Sequence, residues 1–363
     1  MVRLSRAETQ ERNRAKVLAS ARAEFAERGF REAKIDAIAE RAELTRGAVY
    51  SNFPGKRALY FAVLADEAER LADAEGEPGH DRAGALAALA RAWVARFPLA
   101  TDDRFGAASL GAELVPEIVA GDDIRRSFTQ LLRLDAILIG LALEALEPDP
   151  GGRRLVRTAE VALTTLHGAS ELASAAPGFV EPFNVVAACE KLAGLDLADS
   201  WQGPPIVPKS RRCSLPWEPA PAVDLLRDEP AVLTGDGVVT VLGPHRLSAV
   251  EDAVRAAPEG CRVTAVVVTG NPGELVPLVR LMLAEVRGRL RQAFPARAIP
   301  EVQVVCDEKG ALAAAAGVTA VSDASETAIR VSDGRIVAVA EGLGAGHAAA
   351  LAGARAPGPA RSR

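Results

Sequence analysis

Apolar positions recur at three- and four-residue intervals from about residue 8 to residue 195, after which the pattern changes to short unbroken apolar runs. The first regime predicts helices, and the second predicts strands covered on both faces. Within residues 8–28, Val17, Leu18, Ala21, Phe25 and Ala26 make one stripe between Arg, Glu and Lys, the mark of an amphipathic helix. Gly29 stands where such a helix stops, and Phe30 can fold back onto the stripe. Ile35, Ile38 and Ala39 form the inner face of a short second helix, Leu44 plugs a corner, and Ala48, Val49 and Phe53 form the inner face of a third. A long helix runs on through Leu59, Val63, Leu64 and Leu71 until GEPGH at 76–80 ends it. Further helices are predicted at about 84–97, 103–119, 122–146, 152–175 and 181–195, separated at Pro98, Gly121, Pro148 to Gly152 and Pro177-Gly178.

Residues 200–230 are dense in proline and read as a semi-rigid linker, with Trp201 and Trp217 pinning it to a domain surface. Beyond it, strands are predicted at 237–243, 262–270 and 302–307, with helices at 247–257, 274–292 and 310–317. TAIRVSD and RIVAVAEG flank Gly334 as a hairpin, and a last helix lies near 346–354. The expected organisation is therefore multidomain. Residues 1–58 form an all-α head, 59–199 an all-α body, 200–230 the linker, 231–354 an α/β domain and 355–363 a disordered tail.

The chemistry concentrates in residues 35–56, IDAIAERAELTRGAVYSNFPGK. Helix, tight turn and helix in that order make a helix-turn-helix, which lays a helix end in a DNA major groove. Thr45 is a good N-cap for the second of the two. Arg46, Gly47, Tyr50, Ser51 and Asn52 are left outside. Arg46 suits a phosphate or the edge of guanine, Gly47 lets backbone approach a base, Tyr50 offers a ring to pack on sugar and a hydroxyl for phosphate, and Ser51 and Asn52 are short and adaptable. Lys56, at the start of the next helix, suits a phosphate. Residues 1–60 hold thirteen Lys and Arg against eight Asp and Glu, a net of +5, whereas the whole chain is −5. A basic head on an acidic remainder fits a polyanion-binding module.

Residues 12–64 resemble the DNA-binding domain of the tetracycline-repressor (TetR) family, through FAERGF, IDAIAERA, LTRGAVYSNFPGK and ALYFAVL. The resemblance implies a bacterial homodimer on a palindromic double-stranded DNA operator, usually a repressor released by a small-molecule effector. It also implies that Thr45, Arg46, Gly47, Tyr50 and Ser51 face DNA while Lys56 holds a phosphate. Two positions depart from the pattern. Ala33-Lys34 replaces a capping Thr or Ser, with Lys34 able to restore the phosphate contact by charge. Glu43 replaces the Gly usual in the turn, although Glu tolerates a left-handed backbone less well.

In the helical body, Trp93, Phe97, Phe105, Phe128, Leu132 and His167 are candidates for the effector pocket. By resemblance the last two helices make the dimer interface, through Val161, Leu163, Leu166, Leu172, Val185 and Leu192. Hydrophobic residues make 49% of the chain and charged ones 25%, with no membrane-length apolar run, so a cytoplasmic protein without membrane contact is expected. Cys189, Cys213, Cys261 and Cys306 form no CxxC and no metal-spaced cluster with His, so no metal or other cofactor is expected. Cys213, beside Arg211-Arg212, is the one expected to be exposed with a lowered pKa.

Residues 231–354 resemble a thioredoxin-like fold of the peroxiredoxin or thiol-disulfide type, most clearly over Val304 to Gly342. The loop after the first strand, Gly243 to Ser248, holds no thiol, and the loop before the hairpin, Ser322 to Thr327, holds no proline. The domain is therefore expected to be non-catalytic, with no catalytic residues to assign. His245 and Arg246 are candidates for anion contact or for a solvated loop. The reading is a dimeric DNA-binding transcription regulator, not an enzyme. The alternatives are a redox-sensing or enzymatic protein working through the α/β domain, or a scaffold recruiting a partner through it.

Overall fold

Capping chemistry sets the first helices of the computed structural model, which describes residues 5–97, 110–111, 114–148 and 152–352. Helix α1 (Arg6–Glu32) opens on a capping box, in which Ser5 Oγ accepts from Glu8 N at 3.2 Å and Glu8 Oε2 accepts from Ser5 N at 2.6 Å. Gly29 adopts φ 74°, so the expected stop is a kink with one more turn after it. Next come α2 (Ile35–Arg41), α3 (Arg46–Asn52) and α4 (Lys56–Leu71). Phe30 does fold back, with its ring 5.9 Å from Phe25 and 4.7 Å from Tyr60 of α4. Then follow α5 (Arg82–Val94), α6 (Leu114–Val119), α7 (Asp122–Leu146), α8 (Val156–Ala175) and α9 (Pro182–Leu192). Of the helix expected at 103–119, residues 110–111 and 114–119 fall within the described residues, the first pair as a turn and the second stretch as α6.

The described residues pack as two units, each with its own core. The helical unit spans Met1–Phe128, Leu138–Asp199 and Asn271–Ile299. Val17, Phe25, Ile38, Val49, Phe53 and Leu59 fill its first part, and Leu86, Leu89, Leu143, Leu163 and Leu166 its second. The α/β unit spans Thr129–Ile137, Ser200–Gly270 and Pro300–Arg363.

The α/β unit begins with β1 (Arg211–Pro216), β2 (Val223–Asp224), β3 (Glu229–Pro230) and β4 (Gly237–Leu242). A 3-10 turn leads into α10 (Val250–Ala256), and β5 (Arg262–Val267) follows. After the intervening helix α11 (Pro272–Ala293) come β6 (Gln303–Cys306), α12 (Ala311–Ala315), β7 (Glu326–Ser332), β8 (Arg335–Glu341) and α13 (Ala345–Leu351). Six strands form one mixed sheet in the order β1-β8-β7-β4-β5-β6. The β4/β5 and β5/β6 pairs are parallel, whereas β4/β7, β7/β8 and β1/β8 are antiparallel. Strand β4 is buried along its whole length and β5 along all but its first residue, as their unbroken apolar runs require.

Two expectations change. The Pro-rich stretch 200–230 is not a bare spacer. It supplies the edge strand β1 and the β2/β3 ribbon, and Trp217 is buried with its Nε1 donating to Leu233 O at 2.6 Å. Proline marks an edge strand here, because an edge has backbone N–H groups that need no partner. Cys213 sits in β1, half-buried, with its thiol toward Ile336 O at 3.4 Å rather than open to solvent. The other change is α11. It lies in the chain between β5 and β6 but groups with the helical unit, where it packs on α4 and α5.

Candidate nucleic-acid interface

The sequence chose Thr45 as a cap, and its Oγ1 accepts from Ala48 N at 3.2 Å to start α3. The tight turn before it closes through Glu43 N to Glu40 O and Leu44 N to Ala39 O, both 3.0 Å. Closing that way forces Glu43 to φ 56°, the left-handed region. Glu43 therefore carries the backbone that a glycine would adopt without strain. At the start of α2, Lys34 occupies the N-cap, makes no side-chain cap bond, and is exposed.

Val49 and Phe53 are the buried anchors of α3, and the opposite face is open. Arg46 lies 3.4 Å from Asp36 and 5.6 Å from the ring of Tyr50, which is itself 42% exposed. A Cβ on Gly47 would meet only Thr45 Oγ1, at 3.8 Å, so the helix surface there is bare backbone. Ser51 Oγ and Asn52 Nδ2 donate to Ala48 O at 2.9 and 2.8 Å, which fixes both side chains against their own helix. Lys56 Nζ donates to Arg31 O at 2.9 Å and sits 4.7 Å over the Phe30 ring, joining the start of α4 to the end of α1. Thus Lys34, Thr45, Arg46, Gly47, Tyr50 and Ser51 are exposed, while Asn52 and Lys56 are half-buried. Sequence reasoning missed Arg14. Its guanidinium lies 4.5 Å over Phe53 and donates to Asn52 O at 3.4 Å, steadying the end of α3. Its charge on an otherwise solvated face of α1 gave no signal.

Of the effector candidates, the structure brings Trp93 and His167 together edge to face at 4.8 Å. Trp93 Nε1 donates to Ser170 Oγ at 2.7 Å, and the Arg289 guanidinium from α11 lies 4.2 Å over the indole. Burial, with Arg289 adding repulsion, pushes the His167 pKa down to about 4, and its Nε2 is buried without a hydrogen-bond partner. Phe97 and Phe128 are half-buried, Leu132 belongs to a stretch grouped with the α/β unit, and Phe105 lies outside the described residues.

The dimer candidates divide. Val161 and Leu172 are exposed on α8, but Leu166 is fully buried and Val185 is buried, so both belong to the core of the helical unit. Leu192 is half-buried. Among the described residues, the most exposed large apolar side chains are ones the sequence did not single out, Phe179 and Phe183, at 73% and 83% exposure.

In the α/β unit, Arg246 forks onto the buried Glu326, with Nε to Oε2 at 2.7 Å, so a carboxylate already occupies the guanidinium suggested for an external anion. Burial pushes the Cys189 thiol up to about 11. Among the described residues there is no group of three or more His, Cys, Asp or Glu placed to hold a metal ion, and no helix long and apolar enough to cross a membrane.

A comparison with solved structures finds transcriptional regulators at low identity. A TetR transcriptional regulator from Rhodococcus sp. RHA1 is 17% identical, covering 53% of this chain and 99% of its own, with a TM-score of 0.34. A second transcriptional regulator from that organism is 24% identical over 50% of this chain and 94% of its own, also at 0.34. The fatty acid degradation regulator FadR from Bacillus halodurans is 14% identical over 50% and 99%, at 0.25. A comparison with curated proteins finds no match. The region that holds the helix-turn-helix and the first half of α4, residues 17–63, matches the model of the tetR family of bacterial regulatory proteins.

Proposed function

We propose that the chain is a sequence-specific DNA-binding transcription regulator that acts as a homodimer on a palindromic operator. The observation that carries this reading is α3. It is anchored inward by Val49 and Phe53 and turns Arg46, Gly47, Tyr50 and Ser51 outward from one short, capped helix. A side-chain-free position beside a cation and an aromatic hydroxyl is what close approach to a base edge with flanking phosphate contacts requires. One such helix reads few base pairs. Two-fold pairing doubles the contact over half-sites about 34 Å apart or a multiple of it. The exposed Val161, Leu172, Phe179 and Phe183 offer the apolar surface for that pairing.

The reading continues with repression, in the cytoplasm, relieved by a small molecule in the helical unit near Trp93 and His167. Such an effector must favour the DNA-free conformation, since equal affinity for both states shifts nothing. The α/β unit is read as thioredoxin-like and non-catalytic. Its mixed sheet, with parallel strands followed by an antiparallel hairpin and a last helix, supports the first part. The loop after β4 supports the second, since it offers Arg246, already held by Glu326, and no thiol.

Selection of bound duplexes from a random pool by the full-length protein tests the proposal. A two-fold symmetric consensus is expected, with affinity that falls steeply as salt rises. Replacing Arg46 by Ala should relax base choice at one position of each half-site, whereas Tyr50→Ala should weaken all sequences alike. Failure to enrich any duplex sinks the proposal.

A further inference from the structure

We propose that α11 is a brace through which the α/β unit sets the position of the DNA-reading helices. Helix α11 lies parallel to α4 along the whole of that helix. Near one end Arg57 Nε donates to Glu274 Oε1 at 2.6 Å, and a Cβ on Gly273 would meet Pro54 Cγ at 2.8 Å. Near the other end Gly288 faces Ala72, whose Cα would lie 3.2 Å from an added Cβ, and Arg291 pairs with Asp73 at 2.8 Å. Between them Arg280 forks onto Glu69, with Nε to Oε1 at 2.9 Å and Nη2 to Oε2 at 3.0 Å, and Arg287 donates to Glu69 O at 3.2 Å. Residues 57 to 72 of the first helix and its end thus match residues 274 to 288 of the second, about 22 Å in register at 1.5 Å per residue.

Parallel helices side by side set like dipole ends together. Here the charges offset that, since Glu69 and Asp73 of the α4 end face Arg280, Arg287 and Arg291 of α11. Pro54 lies between the end of α3 and the start of α4, so the Gly273 contact reaches the reader itself.

The root of α11 is fixed separately. Its chain leaves β5 through Thr269 and Gly270, and Asp323 Oδ1 accepts from Thr269 Oγ1 at 2.6 Å and from Gly270 N at 3.1 Å. The same residue's carbonyl accepts from His245 N, and Gly243 N donates to Ser325 O, both at 2.8 Å. The loop after β4, the loop before β7 and the exit of β5 are therefore one hydrogen-bonded knot. Gly273 and Glu274, the two residues that engage Pro54 and Arg57, follow Gly270 by three and four positions. A rearrangement of that knot moves the first turn of α11, and with it the start of α4.

Amide hydrogen exchange on the full-length protein tests the brace without DNA. Reversing Arg280 and Arg291 to Glu should speed exchange across 56–71 and 46–52 at least tenfold. Adding Glu69→Arg and Asp73→Arg should bring it back to within threefold of the parent. Asp323→Ala, which touches neither α4 nor α3, should speed exchange in 46–71 at least threefold while the centres of β4 and β5 keep the parent rate. Wild-type rates at 46–71 in Asp323→Ala, with loosening confined to 268–274, would overturn the coupling. Unchanged rates in the Arg280/Arg291 variant would overturn the brace itself. The DNA arm rests on the proposed function. On a duplex selected by the wild type, the Arg280/Arg291 variant should bind at least tenfold more weakly and the fourfold variant should recover. A wild type that selects no duplex sinks the DNA-binding reading, and the exchange arm still decides the brace.

Discussion

Glu43 is the position where the helix-turn-helix carries backbone strain, and the strain predicts an inverted Gly/Ala preference. At φ 56° a residue with a Cβ sits against its own carbonyl, which costs roughly 1–2 kcal/mol. Glycine escapes that cost but gives up about 0.5–1 kcal/mol of chain entropy on folding. Both Glu43→Gly and Glu43→Ala lose the 3.5 Å contact with Lys16, so that term cancels between them. What remains favours Gly over Ala by roughly 0.5–1 kcal/mol, whereas inside a helix Ala is better by about 0.8–1 kcal/mol. The amides that close the turn, Glu43 N and Leu44 N, report this directly by hydrogen exchange. Leu44 N should exchange about threefold more slowly in Glu43→Gly than in Glu43→Ala, the equivalent of roughly 0.7 kcal/mol. Equal protection, or slower exchange in the Ala variant, would show that the turn does not hold the left-handed residue.

Gly47→Ala should leave the fold intact and slow exchange in α3, because an added Cβ meets only Thr45 Oγ1 at 3.8 Å; its affinity for a selected operator should nonetheless fall at least tenfold, and retained affinity would place Gly47 away from the bases. His167, with its folded pKa near 4, favours the neutral form, so its contribution is complete above the ordinary value of 6.5 and is lost as pH falls toward 4. Urea unfolding of the wild type should lose about 2 kcal/mol between pH 7 and pH 5 from this residue, and His167→Leu should remove that part of the slope. Trp217→Ala should cost about 3–5 kcal/mol by loss of a buried indole and its bond to Leu233; a change in denaturation midpoint worth less than ~0.5 kcal/mol would return residues 200–230 to the status of a solvated spacer.

The helix-turn-helix was legible because its signals are local. A Thr cap, a 3.6-residue inner face and a Pro-Gly stop lie within one stretch, and the missing turn glycine announced the strain at Glu43. The strands were legible because unbroken apolar runs bounded by Gly and Pro have few other solutions. Face assignment on α8 failed for a geometric reason. Val161 and Leu166, five positions apart, point about 140° from each other on a helix, so they cannot share an interface, and only Val161 is exposed. Phe183 was passed over because one aromatic beside a proline carries no period. The partner of α11 was not legible either. Residues from Leu275 to Ala293 are apolar on almost every side and are buried accordingly. Such a pattern says that a helix is covered without saying by what. The acids that its Arg280 and Arg291 meet, Glu69 and Asp73, lie far away in the chain, on α4 and just past its end.

The same geometry decides which motions can reach α3. Nine residues of α4 are buried. Its start is tied to Arg31 O by Lys56, its Tyr60 ring rests on Phe25 and Phe30, and its length is matched by α11. A helix held on so many sides has no freedom to slide alone, so α4, α11 and the end of α3 must move as a block. Blocks of this kind switch by small rotations. A turn of about 5° around the far end of a ~22 Å helix displaces its start by about 2 Å, comparable to the helix shifts that separate functional states. In the proposed dimer the two α3 helices would move by that amount in opposite senses relative to half-sites on one duplex, and contacts with bases tolerate much less than 2 Å of error, given a usable hydrogen-bond range of about 2.7–3.2 Å. The pivot therefore matters as much as the tip. Glu69 and Asp73, farthest from the reader, govern the angle of the whole lever, while Arg57 governs only where its near end rests.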